Sequence, residues 1–335
     1  MTLFSVGVFA EVARALLPAG SRLTSTLVPP RLGTAQTSFG ARDSVCATSS
    51  RRFLLCVSVS LWCLFPLSAQ EPTTAVSKIA AGYRFTEGAA WSKDGYLIFS
   101  DTPNDRLLKW VPGHMAEVFR ENAHGPSGNA FDAQGRLYTC ETRPRRVTRT
   151  DRNGRVEVLA DRWEGKRLNA PAGIVVSKAG HVYFTDPAFG YQSDQRELDF
   201  YGVYHIPPKG TIEVAAKLAG RPHGIALSPN GRTLYVSNAD EHEIRAYDLD
   251  RNGDVSGDRV LIAGLETLPG GLSVDEAGNL YVGLNGIAIY NPDGRLLRTI
   301  GLSDPVSSAT FGEGDMKSLF VTARGTVYRF RPDNK

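Results

Sequence analysis

From residue 87 onward, short apolar strands alternate with polar turns, and the alternation repeats along the chain. Each repeat has a small or polar residue, then an apolar strand, an Asp/Ser-x-x-Gly turn and a strand of alternating aromatic and β-branched residues. This pattern predicts an antiparallel strand pair in every repeat. The repeats are EGAAWSKDGYLIFSD from Glu87, SGNAFDAQGRLYTCE from Ser127, AGIVVSKAGHVYFTD from Ala172, HGIALSPNGRTLYVSN from His223, GGLSVDEAGNLYVGL from Gly270 and the degraded SATFGEGDMKSLFVTA from Ser308.

Second hairpins lie between the repeats, so each repeat offers four short strands, and no segment shows a convincing helical period. A four-stranded unit that recurs about every 40 to 50 residues is typical of a β-propeller blade. We therefore predict an all-β fold, a six-bladed β-propeller with four-stranded antiparallel blades. The segment TAVSKIAAGYRF before Glu87 is expected to pair with TVYRF near the C-terminus and close the ring, which makes residues 70–335 a single domain.

The sequence of the N-terminal part of the chain is typical of a targeting segment. Arg51 and Arg52 precede the fifteen-residue apolar run FLLCVSVSLWCLFPL and the small residues before Gln70. This order predicts a cleaved signal peptide over 51–69, because a membrane span needs about twenty apolar residues. We therefore expect an extracytoplasmic protein, periplasmic or secreted, without stable membrane insertion after cleavage. Residues 1–50 are interpreted as a dubious N-terminal extension that results from a wrongly assigned start codon. The alternative is that they form an organellar transit peptide.

Charge and cysteine content narrow the function classes. The chain has 38 Lys and Arg against 35 Asp and Glu, a net charge of +3, and no basic run in the predicted domain. Nucleic acid is therefore not an expected partner, since phosphate binding needs a basic patch. Three of the four cysteines lie in the leader, so no disulfide is expected within the domain, and Cys140 is expected to be a buried packing residue.

A propeller brings the first residues of its inner strands together at one mouth of the central channel. Side chains that converge around a concave opening form a natural binding site. The sequence therefore predicts a site at that mouth. The residues that begin the inner strands are Glu87, Ser127, Ala172, His223, Gly270 and Ser308.

Several motifs resemble one family: FTEGAAW, CETRPRRVTR, GKRLNAPAGIVV, YFTDPAFGY and SPNGRTLYVSN. They are similar to the regucalcin (senescence marker protein), gluconolactonase and luciferin-regenerating-enzyme group of six-bladed propellers, and most to its bacterial gluconolactonase type. The resemblance spans essentially the whole predicted domain. It implies lactone hydrolysis and a divalent metal, commonly calcium, held at the channel mouth by a Glu, two Asn and an Asp, with that Asp as base or nucleophile.

The family's pattern transfers only in part. Glu87 matches the family's Glu, and Asn169 matches the first Asn of its Asn-Ser-Pro-Asn-Asp motif. Ala172 replaces the inner Asn of that motif, His223 stands where the family has Pro-Asn-Gly, and Gly270 stands where it has the acid of Pro-Asp-Gly. Two of the four usual ligand positions therefore lack side-chain oxygens.

The candidate roles follow from the residues that remain. His223 is predicted to be a general base or an altered metal ligand, and Glu87 its metal or proton partner. If His223 binds the metal, zinc or manganese replaces calcium as the expected ion. Arg167, Asn169 and Ser127 are predicted to bind substrate. The alternatives are a water-bound or carboxylate-bound channel residue for His223 and loop-bracing hydrogen bonds for Arg167 and Asn169.

Two functions remain open from the sequence. The first is an exported gluconolactonase-like hydrolase that opens a small-molecule lactone, a related ester or another sugar-acid derivative. The second is a non-catalytic propeller that binds a carbohydrate-like ligand or a protein partner. The fold is compatible with both functions, because propellers carry many activities.

Overall fold

The computed structural model describes residues 75–189 and 195–332. The predicted extension 1–50 and the predicted signal peptide 51–69 lie outside the described residues. The regular secondary structure of the described residues is almost entirely β-strand, and a short 3-10 turn lies at Thr102–Asn104. Within these ranges no helix is long and apolar enough to span a bilayer.

The described residues form six four-stranded antiparallel sheets and one two-stranded ribbon. Numbered in chain order as blades 1 to 6, each sheet takes its strands consecutively from the chain, except for blade 6, which joins the first described strand to the last three. The predicted six-bladed propeller with four-stranded antiparallel blades is confirmed. The strands are β1 (Ser77–Ala81), β2 (Thr86–Ser92), β3 (Tyr96–Asp101), β4 (Arg106–Trp110), β5 (Glu117–Arg120), β6 (Pro126–Phe131), β7 (Leu137–Glu141), β8 (Arg146–Thr150), β9 (Val156–Ala160), β10 (Arg162–Trp163), β11 (Lys166–Arg167), β12 (Ile174–Val176), β13 (Val182–Asp186), β14 (Tyr201–Ile206), β15 (Glu213–Leu218), β16 (Pro222–Leu227), β17 (Thr233–Asn238), β18 (Glu243–Leu249), β19 (Val255–Ile262), β20 (Leu272–Val274), β21 (Leu280–Leu284), β22 (Gly286–Tyr290), β23 (Leu296–Gly301), β24 (Val306–Gly312), β25 (Ser318–Ala323) and β26 (Thr326–Phe330).

The ring closes by pairing the two ends of the described chain, as the sequence predicted. β1 is antiparallel to β26, with Ser77 opposite Arg329 and Ala81 opposite Thr326. The Trp91 ring of blade 1 also stacks on Phe320 of blade 6, with centroids 5.0 Å apart and planes at 8°. Closure therefore combines a backbone ladder with apolar packing between the first and last blades.

Glycines let neighbouring inner strands approach closely. A Cβ on Gly173 would lie 2.3 Å from the His223 carbonyl oxygen, and one on Gly224 would lie 2.3 Å from the carbonyl oxygen of Gly270. No larger residue fits these contacts without displacing backbone. The glycines at the starts of the repeats thus set the width of the channel.

Hydroxyl groups of the second strands fix the first residues of the following blades. Ser100 Oγ donates to the Ser127 carbonyl at 2.7 Å, and Thr185 Oγ1 donates to the His223 carbonyl at 2.8 Å. Ser237 Oγ donates to the carbonyl of Gly270 at 2.8 Å. Because these groups are buried, their hydrogen bonds are costly to lose, and they hold the inner strands in place around the axis.

Candidate functional site

A narrow cavity of about 60 Å³ lies on the axis where the inner strands begin. Its wall is mostly glycine, alanine and backbone, because small residues begin most of the inner strands. Glu87 and His223 are the ionisable side chains among the described residues that line it. The others are Gly88, Ala89, Gly128, Asn129, Ala172, Gly173, Ile174, Gly224, Ile225, Gly271, Leu272, Ser307, Ser308 and Ala309.

Glu87 and His223 face each other across this cavity. They begin the inner strands of blades 1 and 4, and Glu87 Oε2 lies 4.0 Å from His223 Nε2. Both side chains are largely buried, with exposed fractions of 12% for Glu87 and 20% for His223. The predicted convergence is thus present in the structure, while the catalytic and metal-binding roles stay predictions.

Thr102 holds the Glu87 carboxylate. Its hydroxyl lies 2.8 Å from Glu87 Oε1 and 2.6 Å from the carbonyl oxygen of Pro126, so two acceptors share its hydrogen. This contact leaves Glu87 Oε2 directed at His223. Sequence reasoning missed Thr102, because it follows β3 in a 3-10 turn that only the folded blade brings next to Glu87.

An aromatic ring and an ion pair support His223. The Phe189 ring meets the imidazole edge to face, with centroids 5.2 Å apart, and the Arg221 guanidinium lies 5.1 Å from the Phe189 centroid. Arg221 also pairs with Asp240 at 2.6 Å. Burial raises the pKa of Asp240, but the hydrogen bonds and charge of Arg221 outweigh burial and keep that pKa below its ordinary value. Phe189 lies within the YFTDPAFGY motif, although sequence reasoning gave it no role.

The three predicted substrate-binding residues do not line the cavity. Asn169 is fully buried and donates to the carbonyls of Asp186 and Phe200 at 3.1 and 3.0 Å. Arg167 donates to the Pro144 carbonyl at 3.0 Å, and Ser127 is 2% exposed. For Asn169 and Arg167 these are the loop-bracing contacts of the alternative interpretation. Substrate contact by the three residues stays a prediction.

Asp186 braces the loop that leads into the inner strand of blade 3. Its carboxylate accepts the backbone N–H groups of Asn169 and Ala170 at 2.6 and 2.7 Å. Burial raises the pKa of Asp186 from an ordinary 3.8 to about 7, and these hydrogen bonds oppose the rise only in part. Asp186 therefore positions Ala172 at the cavity through the backbone.

The residues at the cavity do not fit the metal that the family resemblance implies. Calcium takes six to eight oxygen ligands, and Ala172 and Gly270 provide no side-chain oxygen. Ser308 Oγ already accepts the N–H of Ala89 at 2.8 Å. A zinc site needs three or four ligands, and the described lining supplies one carboxylate and one imidazole.

A larger cavity of about 630 Å³ lies at the opposite end of the inner strands. The turns that join the first and second strands of the blades surround it, and His181 and Tyr183 are part of its wall. The sequence predicted only the mouth at the starts of the strands.

Cys140 contributes to neither cavity and is fully buried. Burial raises the pKa of its thiol well above the ordinary value. The prediction that Cys140 is a buried packing residue is therefore confirmed.

Comparisons with known proteins agree with this architecture. The family model described as the SMP-30/Gluconolactonase/LRE-like region matches residues 85–325. A gluconolactonase from Zymomonas mobilis is 34% identical over 296 residues, which cover 78% of this chain and 82% of that protein. A solved structure of a gluconolactonase from Xanthomonas campestris is 32% identical with a TM-score of 0.72, over 77% of this chain and 89% of that chain.

A more distant match concerns the fold alone. The structure of a regucalcin from Agrobacterium tumefaciens, described as a calcium-binding protein, is 17% identical with a TM-score of 0.66. The match covers 77% of this chain and 94% of that chain.

Proposed function

The chain belongs to the SMP-30/gluconolactonase/LRE-like family, as its motifs predicted, and from this membership we propose that it is a lactonase that opens a sugar lactone at the Glu87 and His223 cavity. Relatives named gluconolactonase support a lactonase-type hydrolase with a small lactone as substrate. The observation that carries the choice of residues is the approach of Glu87 Oε2 to within 4.0 Å of His223 Nε2.

The facing pair suits activation of water by a general base. The 4.0 Å between Glu87 Oε2 and His223 Nε2 would allow a single water to hydrogen-bond to both atoms at about 2.8 Å. In the proposed reaction His223 Nε2 takes a proton from this water as its oxygen attacks the lactone carbonyl carbon. The Glu87 carboxylate stabilises the imidazolium that results.

Proton return completes the reaction. When the tetrahedral intermediate collapses, the bond from the carbonyl carbon to the ring oxygen breaks. His223 then gives its proton to that oxygen, which becomes the hydroxyl of the open sugar acid. Each atom of water is accounted for, and His223 ends neutral. No step is assigned to a metal at this cavity, since its residues do not form a calcium or zinc site.

The lactone assay compares two substitutions at the pair with two substitutions elsewhere. Initial rates on hexono- and pentonolactones are measured, with spontaneous hydrolysis subtracted. We expect His223→Ala and Glu87→Gln to lower kcat/KM by about 10²- to 10⁴-fold, the usual contribution of a general base. The exposed residues His114 and Glu121 provide the controls His114→Ala and Glu121→Gln, which should keep the wild-type rate.

The same assay separates the two functions that the sequence left open. A wild-type chain that hydrolyses no lactone, yet unfolds at a higher temperature when a lactone is added, is a binding propeller rather than an enzyme. Hydrolysis that persists in both variants at the wild-type rate would exclude the facing pair as its origin.

We also propose that the protein acts outside the cytoplasm, on the strength of the apolar run after Arg52. Intact-mass measurement of the exported protein tests this. A mature chain that begins at Gln70 is expected, and an intact chain retained in the cytoplasm would refute the proposal.

A further inference from the structure

Three potential metal ligands meet at the far end of the propeller from Glu87. His205 in β14 is paired with Glu213 in β15, and Asp254 lies in the turn between β18 and β19 of the next blade. Each residue offers one ligand atom, and these atoms all lie within 4.8 Å of one another. His205 Nδ1 is 3.4 Å from Asp254 Oδ1. The cluster therefore joins blade 3 to blade 4.

The histidine of this cluster is held rigidly. His205 is 2% exposed, and the Tyr183 ring stacks on it with centroids 4.7 Å apart and planes at 11°. His205 Nε2 lies 2.8 Å from Nδ1 of His181. Its ring orientation is therefore fixed by packing on one side and by a hydrogen bond at the nitrogen that faces away from the carboxylates.

The turn that carries Asp254 is equally constrained. The Tyr183 hydroxyl donates to the Gly253 carbonyl at 2.6 Å. Gly253 has a φ of +83°, and a Cβ there would lie 2.6 Å from the Tyr183 hydroxyl and 2.7 Å from His181 Nδ1. Only glycine permits this approach, so the sequence keeps the Asp254 turn against the two histidines.

The hydrogen bond between His181 and His205 would orient the His205 ring for metal binding. With the proton on Nε2, His205 donates to His181 Nδ1 and directs the Nδ1 lone pair toward Glu213 and Asp254. Metal-bound histidines regularly donate their second ring N–H to a neighbouring acceptor in this way. A cation between the imidazole and the two carboxylates would then satisfy three electron-rich groups that otherwise face one another.

We propose that His205, Glu213 and Asp254 bind a divalent transition-metal cation of the zinc class, and that this cation fastens blade 3 to blade 4. An imidazole with two carboxylates, completed by water, suits zinc, cobalt or nickel better than calcium or magnesium, which require more oxygens. Ligand atoms of a four-coordinate zinc lie about 3.3 Å apart. The three ligand atoms lie within 4.8 Å of one another, so zinc binding would require the exposed carboxylates of Glu213 and Asp254 to move closer to His205.

Metal binding by the untagged full chain tests the proposal after chelator treatment and dialysis. Zn²⁺ is titrated by calorimetry, the unfolding temperature is followed with Zn²⁺ or Ca²⁺, and the visible absorption of added Co²⁺ is recorded. Zn²⁺ should raise the unfolding temperature and Ca²⁺ should not. Co²⁺ should give absorption bands that Zn²⁺ abolishes.

Variants locate the bound ion. Glu213→Gln and Asp254→Asn alter exposed side chains and should keep the metal-free unfolding temperature while weakening Zn²⁺ binding by about tenfold or more. Glu121→Gln, a matched surface control, should bind as wild type. His223→Ala should also bind as wild type, because the proposed site excludes the central cavity.

Three results would overturn the proposal. Absence of Zn²⁺-dependent stabilisation in the wild-type chain would show that the three residues do not form a zinc site. Unchanged Zn²⁺ affinity in both Glu213→Gln and Asp254→Asn would show that these residues are not ligands. Loss of Zn²⁺ binding in His223→Ala alone would show that the ion binds at the central cavity instead.

Discussion

At the scale of single residues, the site consists of Glu87 and His223, which face each other because the residues around them are small. Glycine and alanine occupy most positions around Glu87 and His223, so the two groups approach to 4.0 Å across the axis. Their orientation depends on residues that do not line the cavity, chiefly Thr102 beneath Glu87 and Phe189 against His223. Substitutions at these supporting residues therefore test the site as well as substitutions at Glu87 and His223 do.

Thr102 is a positioning residue, and its removal should affect turnover. Thr102→Val deletes the hydroxyl that holds Glu87 Oε1. Since a hydrogen bond to a charged group contributes about 1.5–3 kcal/mol, we expect kcat/KM for lactone to fall by roughly tenfold or more, mainly in kcat. Thr102→Ser should restore the rate, and Thr211→Val at an exposed threonine should have no effect. Equal activity of Thr102→Val and wild type would contradict this role.

Asp186 should make stability depend on pH. Its pKa is raised from 3.8 to about 7 in the folded state, so the folded chain keeps a proton that the unfolded chain releases. This contribution is fully present below about pH 4 and is lost as the pH rises through about 7, with a slope of up to about 1.4 kcal/mol per pH unit.

Urea unfolding from pH 4 to 8 measures this effect against Asp186→Asn, which cannot titrate at this position. The free energy of unfolding of the wild type should fall relative to that of the variant between pH 4 and 7, then level off. A difference that stays constant with pH would rule out a raised pKa at Asp186.

At the scale of strands and blades, the inner strands and their glycines determine the site. The hydroxyls of Ser100, Thr185 and Ser237 each bind the carbonyl that begins the next inner strand. The position of His223 is thus linked to blade 3 through Thr185 as well as to its own sheet. A change in one inner strand should disturb the next.

Gly173 tests this dependence between neighbouring strands. Gly173→Ala places a methyl group 2.3 Å from the His223 carbonyl oxygen and 3.2 Å from Thr185 Oγ1. We expect a loss of about 1–3 kcal/mol in the free energy of unfolding, with lowered lactonase activity, because His223 must move. Gly301→Ala in β23 meets no atom within 4 Å and should change stability by less than about 1 kcal/mol. Equal effects of the two substitutions in urea unfolding would refute this account.

Local patterns predicted the blades because each strand pair is specified by alternation and by an adjacent turn. They also predicted that Glu87 and His223 share one mouth, since the repeat fixes where each inner strand begins. Thr102, Phe189 and the cluster of His205, Glu213 and Asp254 were not predicted, because their contacts depend on the side-chain directions and turn positions of the folded blades, which the repeat pattern does not specify.

Asn169 marks another limit of prediction from sequence. It matches a family motif, yet the structure turns its amide toward the carbonyls of Asp186 and Phe200 inside blade 3. A motif fixes the residue type, whereas the direction of a side chain depends on which polar groups the surrounding strands leave unpaired.

At the scale of the whole molecule, the ring is closed by one strand from the N-terminal side. β1 completes the sheet of β24, β25 and β26, and its Ile79 packs with the apolar cluster of blade 1. Closure through both ends of the domain gives the last blade its fourth strand and covers the edge of β26. The blade that contributes Ser307, Ser308 and Ala309 to the wall of the axial cavity is thus completed by a strand from the other end of the described chain.

Removal of β1 should weaken the entire ring. A chain that begins at Gly82 lacks the pairing of Ser77–Ala81 with β26, whereas a chain that begins at Ala75 keeps it. We expect the shorter chain to unfold at least about 4 °C lower, which corresponds to a loss of roughly 1–2 kcal/mol. Equal unfolding temperatures by circular dichroism would mean that β1 does not contribute to closure.

We propose that the ring makes one catalytic unit from two residues on opposite blades. A double-mutant cycle of kcat/KM for lactone opening, with wild type, Glu87→Gln, His223→Ala and the combined variant, measures this directly. If the two residues act together, the combined variant should be no slower than the slower single variant. Losses that multiply in the combined variant, or a wild-type rate equal to spontaneous hydrolysis, would contradict the claim.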